Sequence, residues 1–517
     1  MESFNTPFPT PFVEKDFKDD IFEPKVRDEL DIIQISNIIR EEANWSEKIN
    51  DPIVVAKWKA EIAVKYLHGD QKFDFVLDEL GHYVSIKDGS IEVAAVDGTW
   101  QSDSLIDSAL HDELVSGIAL LENRIDEVGE KEWFIGPNRQ VLDLVCPSMF
   151  CYVAGKTAMM ARPVTQQCTK ETSLLWYVST AEIESAEQTA QHFIEQTKRL
   201  PSHFKSMKFQ WLPTEFVVTE TGAVRIDCYI NNLHPEHDVQ MYETIENIFQ
   251  KCLPMFSKVL TDLRNPTKNR ITMNDYCFSL EDEVEEQPMN SKKCRNSLTV
   301  PRYQPPPSPT KIVSLNGRTL QVVVKISGIY LTPDNPEFSD DQWHFEGTAN
   351  ERIVASAIYF YSSENITESR INFRKATCKS DVAKKAGGLY DFEDDFHQYA
   401  GSIITQQGRC IAFPNTLQQM IVPFGLEDST RNGHSKILAF FLVDPTVEIM
   451  STSNVPPQQE YWYEDDFDKE LSTLSTEALN KIIESMKWTM SLYEARMYKF
   501  ASMEDKKDFL DKSNEVE

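Results

Sequence analysis

Short strand signals crowd the segment from residue 311 to 450, and they restrict the folds that this chain can adopt. The runs are Leu320–Ile326, Arg352–Tyr361, Arg370–Arg374, Cys410–Phe413 and Ile437–Val443. They are rich in β-branched and aromatic residues and are separated by turn-forming residues. Many short strands at close spacing are typical of an antiparallel sandwich or jelly roll.

The rest of the chain mixes helical and extended patterns. Apolar residues at a spacing of three to four predict helices over 25–48, 104–124, 185–200 and 238–263. The alternating stretch from Gly81, with its Asp88-Gly89 pair, predicts a hairpin instead. We therefore expect an α+β fold, in which an N-terminal mixed α/β region packs on a C-terminal double-stranded β-helix, or jelly roll, followed by a helical C-terminus.

Changes in composition predict the domain boundaries. The predicted segments are an extended arm over 1–24, a mixed α+β domain over 25–264, a linker over 265–310, a jelly-roll domain over 311–450 and a helical segment over 451–517. The linker carries an acidic run and the proline cluster Pro305-Pro-Pro-Ser-Pro309. Each boundary is an expectation from pattern alone.

The charge balance argues against two classes of partner. The chain of 517 residues has 52 basic and 82 acidic residues, a net charge of −30, which repels phosphate backbones and anionic lipid surfaces. We expect no nucleic-acid or membrane partner, and no apolar run is long enough to cross a bilayer. Nine cysteines without any C-x-x-C, and no secretion signal, predict reduced thiols and a cytoplasmic or nuclear location.

The motif Trp343-His-Phe-Glu-Gly347 suggests a specific chemistry. Residues two apart on a strand point to the same face, so His344 and Glu346 should project together. An imidazole and a carboxylate are two-thirds of the triad that holds non-haem Fe(II). The alternative is a strand-edge histidine beside a surface glutamate, since the pair also occurs by chance.

Several longer phrases together resemble a known family. They are Tyr229-Ile-Asn-Asn-Leu-His-Pro235, Leu320-Gln-Val-Val-Val-Lys325, Trp343-His-Phe-Glu-Gly347, Asn350-Glu-Arg-Ile-Val-Ala355, Ile411-Ala-Phe-Pro-Asn415 and Phe440-Phe-Leu-Val-Asp-Pro445. This ordered set resembles the mostly fungal domain-of-unknown-function family 4246 (DUF4246), over residues 25 to 505. The family name states no function.

The C-terminal half also resembles, more remotely, the jelly-roll core of 2-oxoglutarate/Fe(II) dioxygenases. That resemblance implies His344 and Glu346 as the first two metal ligands, and it places the third ligand at Gln419, where the family pattern has histidine. Fe(II) and 2-oxoglutarate are the implied cofactors. An amide oxygen is a weak neutral ligand, so Gln419 implies a weakened metal site.

The resemblance leaves the remaining positions of the site open. His434 is the nearest alternative third ligand, and His397 is a less favoured one. Lys436 is implied as the cation that pairs with the 2-oxoglutarate carboxylate, although Ser435 stands beside it where the pattern has arginine. On a strand, Lys436 can equally point away from the site. Cys146 also replaces a histidine of the family pattern.

Three functions are therefore consistent with the sequence. The first is an oxygenase-like protein with a degraded metal site, the second is a catalytically inactive jelly-roll module for binding or interaction, and the third is a structural protein without a small ligand. No catalytic residue, substrate or partner can be assigned. Convergence of His344, Glu346 and Lys436 in a deep barrel mouth would separate the first two functions from the third.

We predict that limited proteolysis cuts first within residues 280–310. This stretch combines the acidic run with the proline cluster and has few apolar anchors. Mass spectrometry of the early fragments locates the cut. Strong protection of the stretch in hydrogen exchange would contradict the prediction.

Overall fold

The fold is described from a computed structural model. It covers residues 6–12, 23–128, 132–133, 139–161, 174, 182–272, 275–276, 298–339, 342–376, 389–391, 397–464 and 486–514. Helices and antiparallel sheets occur together, which confirms the expected α+β class.

Most of the described helices lie before residue 265. They are α1 (Arg27–Arg40), α2 (Trp45–Lys48), α3 (Pro52–Lys65), α4 (Gly69–Ser85), α5 (Ser108–Val128), α6 (Ala186–Thr197), α7 (Val239–Arg264) and α8 (Leu492–Asn514). Sequence signals mark several of their ends. The Asp51 side chain accepts from the backbone N–H of Ile53, and Ser185 with Gln188 forms a capping box at α6.

The strands of the first half are short, and the longest ones follow residue 317. They are β1 (Glu92–Val93), β2 (Trp100–Ser102), β3 (Glu132–Trp133), β4 (Val141–Val145), β5 (Tyr152–Val153), β6 (Phe209–Gln210), β7 (Thr214–Val218), β8 (Val224–Ile226), β9 (Arg318–Leu331), β10 (Glu337–Phe338), β11 (Ile353–Glu364), β12 (Ser369–Ala376), β13 (His397–Thr405), β14 (Cys410–Pro414), β15 (Gln418–Ile421), β16 (Phe424–Gly425) and β17 (Gly433–Val443).

A ten-stranded antiparallel sheet forms the centre of the molecule. Its order is β1-β2-β14-β11-β17-β9-β4-β3, and β7 also pairs with β9 and carries β8. The long central strands fit in register, with Phe441 of β17 opposite Ser356 of β11 and Val323 of β9. The three long runs predicted from sequence are thus neighbours in one sheet.

A three-stranded sheet, β13-β12-β15, lies against one face of the large sheet. Buried side chains of both sheets form a shared core, which includes Val323, Ile358, Phe373, Phe413 and Phe441. The other face of the large sheet packs against α5 and α7 through a larger core. The C-terminal half is therefore a two-layered β structure whose interior lies between the two sheets.

The first half supplies strands to the same large sheet. β2 pairs with β14, while β4 and β7 both pair with β9. The helices α1 to α4 form a separate apolar cluster beside it. The expected hairpin from Gly81 is wrong, because α4 extends to Ser85 and only a tight turn joins Asp88 to Ile91.

The predicted arm and linker are anchored at several described points. Phe8 is buried, and its backbone N–H donates to the Asp444 carboxylate at 2.8 Å. Tyr276 forms a bridge with Leu298, and both are buried in the helical cluster. Residues 277–297 and 465–485 lie outside the described part of the chain. The domain boundaries themselves stay predictions.

No helix in the described part of the chain has the length and apolarity that crossing a bilayer requires. The cysteines Cys146, Cys151, Cys228, Cys252 and Cys410 are buried free thiols.

We predict that Phe373→Ala destabilises the fold by about 3–5 kcal/mol, since it leaves a cavity in the core between the two sheets. Phe373 is fully buried, and its ring meets that of Phe413 edge to face at 5.0 Å. Urea unfolding followed by tryptophan fluorescence measures the loss. Ile312→Ala is the control, because Ile312 is 79% exposed and its truncation should change stability little.

Candidate functional site

His344 and Gln419 are brought together by the backbone. His344 does not belong to a strand, but it forms a single antiparallel bridge with Gln419 of β15. The His344 N–H donates to the Gln419 carbonyl at 3.1 Å, and the Gln419 N–H donates back at 2.9 Å. Gln419 is also opposite Phe373 of β12, whose ring lies in the interior core. The expected convergence of these two positions therefore exists.

Asn415 fixes the backbone of Glu346. Its side-chain oxygen accepts from the Glu346 N–H at 3.0 Å, and its amide nitrogen donates to the Glu346 carbonyl at 3.0 Å. The same nitrogen donates to the Ile353 carbonyl at 3.1 Å, which ties the loop to the start of β11. Asn415 is buried, so these contacts hold the Glu346 backbone in a defined position.

The side chains of His344, Glu346 and Gln419 form one cluster. The Gln419 Nε2 donates to Glu346 Oε1 at 2.7 Å and lies 3.5 Å from His344 Nε2. His344 Nε2 and Glu346 Oε1 are 3.7 Å apart. His344 Nδ1 is 3.1 Å from the Gln342 carbonyl, which favours a proton on Nδ1 and a lone pair on Nε2. We refer to these three residues as the His–Glu–Gln cluster.

The amide of Gln419 acts in this cluster as a proton donor. Its two N–H groups face a carboxylate oxygen and an imidazole nitrogen, both of which are acceptors. The opposite amide orientation would place Oε1 against the carboxylate, which is repulsive. Fe(II) needs electron pairs from all three groups, but here the third group instead uses the lone pairs of the other two. The residues present therefore do not fit a three-ligand Fe(II) site.

The wider surroundings agree with this result. Among the described residues, no group of three or more histidine, cysteine, aspartate or glutamate side chains is arranged to hold a metal ion. His344 and Glu346 contribute two such side chains, and Gln419 takes the place of a third.

Two lysines compensate the charge of Glu346. Burial acts to raise the pKa of Glu346, but the contact with His344 in the form whose Nε2 carries a proton, together with the charges of Lys506 and Lys325, outweighs burial and lowers the pKa to about 2. Lys325 lies on β9, opposite Ala439, so it shares the interior face with Val323. The carboxylate is thus ionised at neutral pH.

Helix α8 brings Lys506 to the interior. Burial lowers the pKa of Lys506, and the carboxylates of Glu346 and Glu351 only partly offset that effect. Its ammonium lies over the Trp211 ring, 5.1 Å from the ring centre. Glu351 accepts from the Trp211 backbone N–H at 2.8 Å. Helix α8 therefore places a cation beside the His–Glu–Gln cluster, and the ring of Trp211, which follows β6, lies against that cation.

The structure does not bring Lys436 to this cluster. Lys436 lies on β17 and donates to Glu122 of α5 at 2.7 Å, on the helix-packed face of the large sheet. Its neighbour Ser435 is on the same face as Ala439 and Phe441, which belong to the interior core. The interior position at this point of β17 therefore carries a hydroxyl group, and the cation faces the opposite side.

The remaining sequence candidates also lie apart from the cluster. His434 Nε2 is 2.7 Å from the Ser362 hydroxyl and, like Lys436, is on the helix-packed side of β17. Burial and the nearby charge of Lys436 lower the pKa of His434. His397 is buried at the start of β13. Cys146 is buried near Asp143, and burial raises the pKa of its thiol to about 11.

Sequence reasoning missed four of the residues that define this site: Asn415, Trp211, Lys325 and Lys506. Two of them had a local signal, since Asn415 ends the phrase Ile411-Ala-Phe-Pro-Asn415 and Lys325 ends Leu320-Gln-Val-Val-Val-Lys325. A lysine directly after the apolar run Val322 to Val324 of a strand is unusual and marks a buried charge. Lys506 lies in a charged helical stretch and had no such signal.

Comparison with known proteins identifies the family but no activity. The family described as "Protein of unknown function (DUF4246)" matches residues 70–466, and the "Domain of unknown function DUF4246, N-terminal" matches residues 2–61. These matches confirm the resemblance noted from the sequence phrases. No curated protein matches the chain.

Solved structures with a similar arrangement include three proteins of low identity. They are an Fe(II)/α-ketoglutarate-dependent dioxygenase, TqaL (8% identity, 66% of this chain and 93% of that one, TM-score 0.25), IDO from Bacillus thuringiensis (8%, 63% and 95%, TM-score 0.23), and a bsmA homologue from Methylobium petroleophilum (6%, 65% and 86%, TM-score 0.24). The TM-scores are too low for any of these proteins to inform the function of this chain.

We predict that Glu346→Gln flattens the pH dependence of stability between pH 5 and pH 2. The pKa of Glu346 is lowered to about 2 in the folded state, so its ionised form stabilises the fold above the ordinary glutamate pKa. That contribution is lost as the pH falls towards 2. Unfolding free energies across this range give the two curves, and Glu61→Gln is the exposed control. Parallel curves for wild type and Glu346→Gln would contradict the assignment.

Proposed function

We propose, for a chain that belongs to the DUF4246 family of proteins of unknown function, that its β half is an oxygenase-like jelly roll with a degraded metal site. In this proposal the interior binds divalent metal weakly and does not support efficient Fe(II)/2-oxoglutarate turnover. One observation carries the proposal. Gln419 stands where the proposal requires the third metal ligand, and its Nε2 donates a hydrogen bond to Glu346 Oε1 at 2.7 Å.

The energetic argument rests on what a metal ion would have to displace. To coordinate Glu346 and His344, a metal must break the Gln419 hydrogen bonds and rotate the amide so that its oxygen faces inward. The bond from a neutral amide oxygen to the metal then contributes less binding free energy than a bond from an imidazole nitrogen would. The positive charges of Lys506 and Lys325 near the carboxylate further oppose a divalent cation.

Binding of the cosubstrate 2-oxoglutarate is also expected to be weak. 2-Oxoglutarate needs a cation on the interior wall to pair with its far carboxylate. Lys436 is held by Glu122 on the other face of β17, and Ser435 supplies only a hydroxyl group to the interior. Lys325 and Lys506 are two cations that act on Glu346, and both already interact with carboxylates. We therefore derive no catalytic step for this chain.

A second candidate function, a catalytically inactive binding or interaction module, is supported by the same cluster. In this cluster Gln419 donates a hydrogen bond to the Glu346 carboxylate, and the charges of two lysines compensate the charge of that carboxylate. A buried polar network that is satisfied in this way is stable without a metal ion. The metal titrations below distinguish this function from the oxygenase-like one.

We predict that Gln419→His tightens Co(II) or anaerobic Fe(II) binding by at least about tenfold, the lower end of typical effects around metal ligands. The substitution removes the N–H donor and adds the imidazole that completes a two-histidine, one-carboxylate set. Isothermal titration measures the affinity, and Co(II) absorption reports the coordination geometry.

The matched control is Gln407→His, which adds a histidine at an exposed position outside the cluster. It should bind metal as wild type does. The double variant Gln419→His/Glu346→Gln should lose the gain, because it lacks the carboxylate ligand. Equal tight binding by wild type and Gln419→His would refute the degraded site. Absence of binding by both would favour the interaction module.

A further inference from the structure

A cleft of about 400 Å³ lies at the end of α6, and its lining includes none of the three residues of the His–Glu–Gln cluster. It is lined by Glu195, Gln196, Lys198, Arg199 and Arg352. Three of these five side chains are cationic, in a chain whose net charge is −30. The volume lies within the range of small-molecule sites and exceeds what an inorganic phosphate alone would fill.

The cations come from two distant parts of the chain. Lys198 and Arg199 follow the last turn of α6, while Arg352 stands immediately before β11. Basic residues after a helix commonly offset the negative end of its dipole, which explains Lys198 and Arg199 by themselves. That explanation does not extend to Arg352, which belongs to a loop and is directed into the same cleft.

The backbone at Arg352 is held in an unfavourable conformation. Its φ of 52° lies in the left-handed region, which an arginine rarely adopts. The Arg352 carbonyl accepts from the Asp444 N–H at 2.9 Å, and this bond helps to fix the conformation. Strained residues that the surrounding structure holds in place cluster at ligand sites. The strain here presents a half-buried guanidinium to the cleft.

The charge of Arg352 is incompletely compensated. Burial lowers the pKa of Arg352, and the negative charge of Asp444 raises this pKa by less than burial lowers it. Asp444 is itself occupied, since it accepts from the backbone N–H groups of Phe8 and Thr446. Lys198 is paired with Glu195 at 3.3 Å, at exposed positions where such a pair is weak. An anion in the cleft would therefore meet cations that the protein satisfies poorly.

The floor of the cleft is rigid. Gln196 accepts from the Met450 N–H at 2.9 Å and donates to Gln210 at 2.6 Å, and Gln210 in turn donates to the Met450 carbonyl at 2.9 Å. Gln210 is fully buried. A fixed floor keeps the spacing of the cations constant, which lowers the entropic cost of binding a ligand.

We propose that this cleft binds a small organic phosphate, with the phosphoryl oxygens held by Arg199, Arg352 and Lys198. Arginine matches phosphate geometry through paired N–H donors, and lysine adds a point charge. The part of the cleft that a phosphoryl group does not fill accommodates the organic portion. The site is separate from the His–Glu–Gln cluster and does not depend on its metal affinity.

The test is titration of the full chain with pyrophosphate and with glycerol 3-phosphate, at constant ionic strength, followed by calorimetry. Saturable binding is expected for both probes. Glycerol and chloride, which lack the phosphoryl group, should not bind. Arg199→Gln and Arg352→Asn should each weaken binding by about tenfold, a typical value for loss of a charge-assisted contact. Asparagine tolerates the left-handed backbone, so Arg352→Asn removes the cation without adding strain.

The control is Lys311→Gln, which removes an exposed cation elsewhere and should leave both affinities unchanged. Arg199 is exposed, so its variant should fold normally and keeps the test valid if Arg352→Asn does not fold. Equal affinities for wild type and Arg199→Gln would overturn the proposal and leave Lys198 and Arg199 as helix-end charges. Binding that disappears with salt and is weakened equally by Lys311→Gln would also overturn it.

Discussion

The pairing of β9, β17 and β11 is the constraint on which the rest of the structure depends. In long antiparallel strands, successive side chains point to opposite faces, so each residue is assigned to one of two cores. Leu438, Phe440 and Leu442 of β17 pack towards α5 and α7, while Ala439 and Phe441 line the interior. This alternation also decides the polar positions, and a slip of one residue would exchange them all.

The interior contains a largely buried carboxylate, Glu346, whose negative charge must be compensated. A buried glutamate is costly unless its charge is compensated. Here the compensation comes from an amide N–H of Gln419 and from the ammonium groups of Lys506 and Lys325. The donor of electron pairs expected at the third position is replaced by a donor of protons. In the oxygenase-like proposal, the three side chains meet but the third one lacks the free electron pair that a metal ligand needs.

The two halves of the chain fold as one sheet system. The β2 strand extends the large sheet beyond β14, and α8 returns from the C-terminus to supply Lys506. Within the predicted linker, Arg270 donates to Glu79 of α4 at 2.7 Å and to Asp97 at 2.9 Å. These long-range contacts explain why the site cannot be understood from residues 311–450 alone. They also couple the stability of the interior to segments far away in sequence.

The sequence by itself determined the α+β class, the three long central strands and the meeting of His344, Glu346 and Gln419. The class and the strands follow from local period, and the proximity of His344 and Glu346 follows from their spacing of two residues, whereas the place of Gln419 beside them was implied by the resemblance to the dioxygenase jelly roll. Only the tertiary structure decided that Gln419 donates to Glu346, that Lys436 pairs with Glu122, and that Lys506 joins the cluster. Such contacts depend on which face a strand presents and on distant elements. For the same reason the first part of the expected hairpin, Gly81 to Ser85, is the end of α4. The apolar residues Phe73, Val76 and Leu80 of that helix are buried against neighbouring helices.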